Sequence, residues 1–432
     1  MSNIVEFPGK PPSIAPFLRI GYSGYKKASQ LLSEGHLLVD RAVIEAANLK
    51  HQKELTQTLG EKGIERVLDP NIAELTTIGR ITGSMLRAPW APEEGILTPD
   101  AFKRGTNESI IDQLADVTVE HKFDAVFSPT HVLFDNPAMM SIDCHAASGL
   151  RRALDEKGAQ SVYVDYPLVM SYAQLRDRDF RKRVIASLHN LPINRVWLRL
   201  SGFGADATPA GIERVIACLQ DFHVLGVPII LDKVGGLTSL AISAFGACSG
   251  FAHGMDGGDR FNGSSWLKEP RKSGGGGGNA KAAFVPALDR RIPVKTLRTI
   301  FDSSRRSRAL LGCSDQTCCG SIDQMLEHPE RHFLKQRKKR VDAISALPLS
   351  VRPERFIREQ VEPERLKAKA ATKLKALDAK TIKTVESSRK RLENMEDTLI
   401  NIYDSASDRD VAIEAPVHIA AQGISPAQDR GI

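Results

Sequence analysis

The residues best equipped for chemistry come late in this chain. Cys313, Cys318 and Cys319 bring three thiols within seven residues, and His328 and His332 follow nine and thirteen residues after Cys319. Three soft thiolates and one imidazole compose a Cys3His set, the ligand composition of closed, tetrahedral structural zinc sites. His332 is the preferred fourth ligand, because His328 stands directly before Pro329 and falls outside the helix that begins there. The adjacent Cys318–Cys319 pair needs a turn to aim both sulfurs at one ion. A group of idle buried thiols is the competing reading. Six cysteines in 432 residues are too few for a disulfide framework, so the set fits a reducing, cytoplasmic setting.

A second group of ionisable residues recurs where apolar runs end. Reading off those ends gives Asp69, Thr130 and His131, Asp165 and Tyr166, Ser201, Asp232, and His253 with Asp256 and Asp259. Carboxylates and imidazoles converging on one rim are what general acid–base or nucleophilic chemistry requires, although any single Asp there can equally cap the next helix. Asp232 closes the run PIILD and precedes Gly235 and Gly236, where a ligand can approach the backbone closely. The segment GFAHGMDGGDRF (250–261) sets His253, Asp256, Asp259 and Arg260 among four glycines. The segment SGFGADATP (201–209) leads from Ser201 through two glycines into a helix start. Its amides suit either an anion or a tight turn capped by Asp206 or Thr208. Asp256, Asp259, Asp232 and Asp165 are thus the candidate catalytic residues. The candidate substrate contacts are His131, Ser201, Gly235, Gly236, His253 and Arg260.

These side chains converge only if the elements carrying them do. Eight short β-branched or aliphatic runs are expected as strands: 17–24, 36–40, 65–70, 124–133, 161–169, 195–204, 228–236 and 247–254. The later ones recur at the length of one strand–helix unit, with amphipathic stretches between them. Nearly continuous apolar strands alternating with helices indicate a parallel sheet covered on both faces. No G-x-G-x-x-G follows the first strand and eight units suit closure, so an α/β (β/α)8 TIM-type barrel is expected over an open doubly wound sheet. The barrel is assigned to 1–300, a zinc-binding segment to 301–350, a basic helical extension to 351–404 and a disordered tail to 405–432. Gly274–Gly278 mark a mobile loop.

The chain has 59 basic and 52 acidic residues, a net charge of +7, and the excess gathers between Arg337 and Arg391. That density over several helical turns suits phosphate backbones, while solvated helix faces are the alternative. Aromatic residues are sparse there, so stacking on single strands is not signalled. No stretch approaches the roughly 18 apolar residues of a membrane span, and the first ten residues lack a secretory pattern. Nucleic acid is the expected partner, a membrane is not, and a homodimer is left open.

This order of parts resembles the tRNA-guanine transglycosylase family, whose members exchange a guanine in nucleic acid for a deazaguanine. The likeness runs over about 195–345. It rests on the barrel, the Gly235–Gly236 turn, the GMDGGDRF loop, the three-cysteine cluster and a His-bearing helix ending in Asp342-Ala343-Ile344. The cysteine spacing here is C-x4-C-C where the family has C-x-C-x2-C. The family's Asp-Ser-Gly-Gly-Phe-Gln segment has no counterpart. The resemblance implies a double displacement at C1′ of a nucleotide in tRNA or DNA, with Asp256 or Asp259 as nucleophile. It also implies Asp232 or Asp165 on the Watson–Crick edge of the extruded base and a structural Zn2+. The other readings are a nucleic-acid-binding scaffold on an inactive barrel and a small-molecule barrel enzyme. Only Lys233 stands at a strand end to form a Schiff base, and no H-x-H strand supports a catalytic metal.

Overall fold

Alternating apolar and charged residues along short runs such as RVWLRLS decide where each strand points its side chains. The computed structural model describes residues 13–407 apart from 82, 107–108, 134–135, 270–280 and 376. The strands are β1 (Ala15–Ile20), β2 (Arg41–Glu45), β3 (Glu65–Asp69), β4 (Ala125–Phe127), β5 (Tyr163–Ser171), β6 (Arg195–Ser201), β7 (Ile229–Asp232) and β8 (Gly250–Gly254). They pair in sequence order, all parallel, and β8 returns to β1 to close an eight-stranded barrel.

Between β1 and β5 the helices are α1 (Tyr25–Ser33), α2 (Lys53–Glu61), α3 (Ile72–Leu75), α4 (Ile110–Glu120) and α5 (Met140–Glu156). Between β5 and β8 come α6 (Tyr172–Arg176), α7 (Arg178–Leu188), α8 (Pro209–Gln220) and α9 (Gly236–Ala244). The TIM-type expectation therefore holds.

Three strand positions differ from the sequence expectation, the run at 124–133 forming strand only over Ala125–Phe127. The second strand is RAVIE, directly after the predicted HLLVD. The amides of His36 and Leu37 bond back to Leu31 and close the turn after α1, which leaves Arg41–Glu45 to pair with β3. The Gly21–Gly24 half of the first predicted run is the β1–α1 turn, not strand.

The lumen is filled in layers, as barrel geometry requires. Its middle is apolar: Phe17, Val43, Val67, Phe127, Trp197 and Ile230 pack together, with Phe17 and Trp197 edge to face at 4.6 Å. Below it, toward the strand N-termini, Arg195 Nε bonds both oxygens of Asp165 at 2.8 and 2.9 Å. There Glu65 accepts from both Arg195 and Arg41. Above it, toward the C-termini, lies a second charged layer of Arg19, Asp69, Arg199 and Asp232.

After the barrel come a hairpin, β9 (Ala282–Val285) and β10 (Arg290–Pro293), then α10 (Val294–Ser303), α11 (Arg305–Leu311), α12 (Ile322–Glu327) and α13 (Pro329–Ser345). The hairpin was not expected from sequence. The extension, α14 (Arg352–Phe356), α15 (Glu362–Ala371) and α16 (Ala379–Ser407), packs on the barrel instead of trailing from it. Val385, Leu392, Met395 and Leu399 of α16 are buried, and so is every residue of α9 from Leu237 to Ala244. The helix continues to Ser407, past the predicted start of a disordered tail at 405. The remainder of that tail and Gly274–Gly278 lie outside the described residues.

Candidate functional site

Arg305–Leu311 ends at Gly312, and the chain turns so that the carbonyl of Asp315 accepts the amides of both Cys318 and Cys319 at 3.0 Å. The Asp315 carboxylate also takes the Thr317 amide at 2.9 Å and is clamped by Lys339 at 2.6 Å. This turn aims both neighbouring sulfurs the same way, which answers the stereochemical objection to an adjacent pair. The Cys318 and Cys319 sulfurs lie 3.7 Å apart, and His332 Nδ1 lies 3.4 and 3.3 Å from them. Donor atoms from Cys313, Cys318, Cys319 and His332 all fall within 4.8 Å of one another. A tetrahedron with metal–sulfur bonds of about 2.3 Å has sulfur–sulfur edges of about 3.8 Å, so the set has the dimensions to hold a metal ion. His332 directs its other nitrogen, Nε2, at the Phe284 carbonyl (3.0 Å), the outer-shell bond that orients a ligating imidazole. That bond ties α13 to β9, so the unforeseen hairpin is part of the cluster's frame.

At the barrel mouth the candidate residues part company. Asp232 is 1% exposed and both of its oxygens are taken. Arg19 Nε reaches Oδ1 at 2.5 Å, and Arg19 Nη2 and Arg199 Nε reach Oδ2 at 2.7 Å. Burial alone would raise its pKa, but the two guanidiniums outweigh that and hold it well below the carboxylate range. The same arginines bind Asp69 at 2.8 and 3.1 Å, and Arg199 binds Glu74 at 2.9 Å. The placement of Asp232 as a free group for a base edge is therefore corrected: it is the centre of a buried ion network.

Phe261 and Trp266, packed with Ala73, Val132 and Val169, cover this layer. Lys233 reaches up to them, its Nζ 5.8 and 6.0 Å from the two ring centres. Its backbone φ of 59° is rare for a residue with a Cβ. Burial, then the charges of Arg199 and Arg19, lower its pKa.

Other expected rim residues are placed differently for clear reasons. Asp165 is the third residue of β5, so it faces the lumen at the opposite, N-terminal end, bonded to Arg195 and Trp197 Nε1 (2.9 Å). His253 follows inward-facing Ala252 and so points outward, between Phe251 (5.8 Å, stacked) and Phe333 of α13 (5.4 Å). His131 does lie at the rim, beyond β4. Its Nδ1 bonds Asp143 at 2.5 Å, its ring stacks on Phe102 at 4.2 Å, and its buried Nε2 has no partner among the described residues. Ser201 accepts the Gly263 amide at 2.9 Å and so anchors the segment that carries Trp266.

Neither glycine turn is an open anion cradle. Gly236, at φ 62°, lets the hairpin residue Asp289 approach α9, where the Leu237 amide donates to both Asp289 oxygens at 3.1 Å. An internal carboxylate thus occupies that helix N-terminus. In the 201–209 turn the amides of Gly202 and Ala205 bond the carbonyls of Phe261 and Asp259, and Thr208 caps α8.

The β8 loop retains the open chemistry. Asp256 is exposed and faces the β1–α1 turn at Gly24. Asp259 is half-buried against Gly235, where a Cβ would come within 2.8 Å of its own, and burial pushes its carboxyl up against the pull of Arg291. Arg260 is exposed and pairs with Asp206. Beside Asp259 opens a cleft of about 320 Å³ that Arg260, Arg290, Arg291 and Arg391 help to line.

Arg19, Arg199 and Glu74 were missed in the sequence. For Arg199 a signal was there: Arg195, Trp197 and Arg199 alternate along one strand, which puts all three on one face. The basic tail is less available than its composition suggested. Arg337, Arg340 and Arg352 are buried, and Arg355, Arg358 and Arg389 pair along their own helices with Glu359, Glu354 and Glu393.

No protein-family model matches this chain, and no curated protein sequence is similar to it. Solved structures are similar to this chain only at low identity and low TM-score. An endo-1,4-beta-xylanase from Penicillium canescens is 11% identical over 55% of this chain and 81% of its own, with a TM-score of 0.37. A type I 3-dehydroquinate dehydratase from Clostridium difficile is 10% identical over 58% and 88%, with a TM-score of 0.36. The tryptophan synthase alpha subunit of Campylobacter jejuni is 8% identical over 59% and 90%, with a TM-score of 0.33. No helix among the described residues is long and apolar enough to cross a membrane.

Proposed function

We propose that the protein exchanges a base in tRNA or DNA in the manner of the tRNA-guanine transglycosylases, with a structural zinc ion in the Cys313–Cys318–Cys319–His332 set. The observation that carries this reading is the pair of carboxylates on one β8 loop, one exposed and one half-buried, beside an arginine-lined cleft. Such a pair divides the labour of a double displacement.

Asp256 attacks C1′ through a carboxylate oxygen, and the C1′–N bond to the outgoing base breaks. Asp259, whose burial favours the protonated form, gives its proton to the leaving base. Its carboxylate then takes the proton of the incoming base, whose nitrogen displaces Asp256 from C1′. Zinc supplies no step in this scheme. It would hold the hairpin to α13, and the hairpin in turn carries Asp289 and Arg291 to the rim.

The test is incubation of tRNA and of duplex DNA with labelled guanine. Label enters one polymer with the wild-type protein, is lost with Asp256→Asn, and falls by about 10²–10⁴-fold with Asp259→Asn. Binding without incorporation would replace this reading with the scaffold one. A small-molecule reading has one specific support, the half-buried Lys233 under Phe261 and Trp266. Borohydride trapping of a small carbonyl compound on Lys233, absent in Lys233→Met, would favour it.

A further inference from the structure

The cleft beside Asp259 holds more cation than its described carboxylates neutralise. The Arg260 and Arg391 guanidiniums are paired with Asp206 and Asp289, and Asp289 is further engaged by the Leu237 amide. Arg290 and Arg291 remain. Arg290 donates to Ser387 of α16 at 3.2 Å, and Arg291 lies 4.2 Å over the Phe333 ring. Among the described residues neither has an ion-pair partner.

Both line the cleft although they occupy alternate faces of β10, because Arg290 opens that strand next to the Asp289 turn. Burial, then the charge of Arg391, lowers the Arg290 pKa. Burial also lowers that of Arg291, against the opposing charges of Asp259 and Asp256. Two half-buried guanidiniums that feel nearby carboxylates but contact none are further stabilised by an oxyanion, and their planar forks match a phosphate. A cleft of about 320 Å³ has room for a phosphate and neighbouring atoms.

We propose that Arg290 and Arg291 bind a backbone phosphate of the nucleic-acid strand, next to the nucleotide presented to Asp256 and Asp259. This rests on the function proposed above and assigns it a polymer-holding site that lies on the hairpin, not on the basic tail. The position explains why a metal-braced hairpin should reach the rim: it would fix the strand within one loop of the carboxylates.

The test is binding of a labelled single-stranded oligonucleotide by the full-length protein across a salt series. The Arg290→Gln/Arg291→Gln double variant should bind at least about tenfold more weakly. Its slope of log affinity against log salt should fall by about 0.7 for each arginine removed. Arg290→Gln alone and Arg291→Lys guard against a folding defect: with an unchanged melting temperature each should show part of the loss.

Unchanged affinity and slope in the double variant overturn the proposal. Inorganic phosphate bound as tightly as the oligonucleotide, and lost in the double variant, overturns the backbone assignment in favour of a free-phosphate site. The two levels fail separately. Arginine-dependent binding without label exchange leaves the phosphate site and removes the enzyme, whereas exchange unaffected in KM by the double variant does the reverse.

Discussion

Asp232, at the end of β7, and Asp259, in the loop after β8, have pKa values displaced in opposite directions. Asp232 is held ionised by Arg19 and Arg199, while burial pushes Asp259 toward the neutral form. For Asp232 the folded pKa is depressed. Its stabilisation is therefore complete above the unfolded value of about 3.9 and is lost as pH falls below that. Asp232→Asn leaves two buried guanidiniums undercompensated and should cost about 3–5 kcal/mol in urea unfolding at pH 7. That cost should shrink as the pH is lowered below about 4. For Asp259 the sign reverses: its folded pKa is raised, so the stability it contributes is present below the unfolded value of about 3.9 and is lost as pH rises through the folded value. Asp259→Asn should accordingly raise the melting temperature at pH 7 and leave it unchanged at pH 3, while label exchange falls. A lower melting temperature at pH 7 would show that the neighbouring arginines, not burial, dominate at this position.

At the scale of elements, short segments with tight contacts decide how the mouth and the metal cluster are held. The segment carrying Trp266 rests on Gly79, whose amide bonds the Trp266 carbonyl at 2.8 Å. A Cβ at Gly79 would stand 2.4 Å from the carbonyl oxygens of Ser265 and Lys268. Gly79→Ala should therefore lift that segment, read as faster hydrogen exchange at residues 261–268, at a global cost of about 1–3 kcal/mol. Cys318→Ser should abolish binding of about one zinc per chain and lower the melting temperature. A chelator should reproduce the shift in the wild-type protein but not in the variant.

The cysteine cluster and the histidine that the fold brings to it were legible, because local spacing and a proline boundary are both readable along the chain. The sequence could not show the hairpin at 282–293. Four-residue strands carry little periodic signal, and their purpose, the Phe284 and Asp289 contacts, lies in residues 48 and 52 positions away. Asp165 and His253 differ from the rim expectation for two reasons: Asp165 lies near the start of β5, at the other end of the barrel, and His253, at the end of β8, alternates to the outer face.

For the molecule as a whole, the barrel could be read because eight apolar runs recur in order, whereas the role of the extension could not. A lysine- and arginine-rich composition looks the same on a free tail as on a helix whose other face is buried. The packing of α14–α16 implies that the barrel depends on them. A chain ending at residue 350 would expose the apolar surface of α9, and it should aggregate or show the dye binding of a loosened core, while the full chain stays monodisperse. Soluble, cooperatively unfolding protein from the shortened chain would mean that the extension serves binding alone.

The Asp289 carboxylate on the first turn of α9 also bears on the order of events during folding. The seventh barrel unit is not finished by its own residues: its helix start waits for a side chain 52 positions later, and Ile14 bonds Ser345 across 331 positions. Contacts of such long range slow the search for the native state. The barrel of a nascent chain should therefore stay open at β7–β8 until the hairpin has emerged and locked to α13. Refolding with zinc present should shorten the slowest phase seen by stopped-flow, and Asp289→Asn should lengthen it even when the metal is bound.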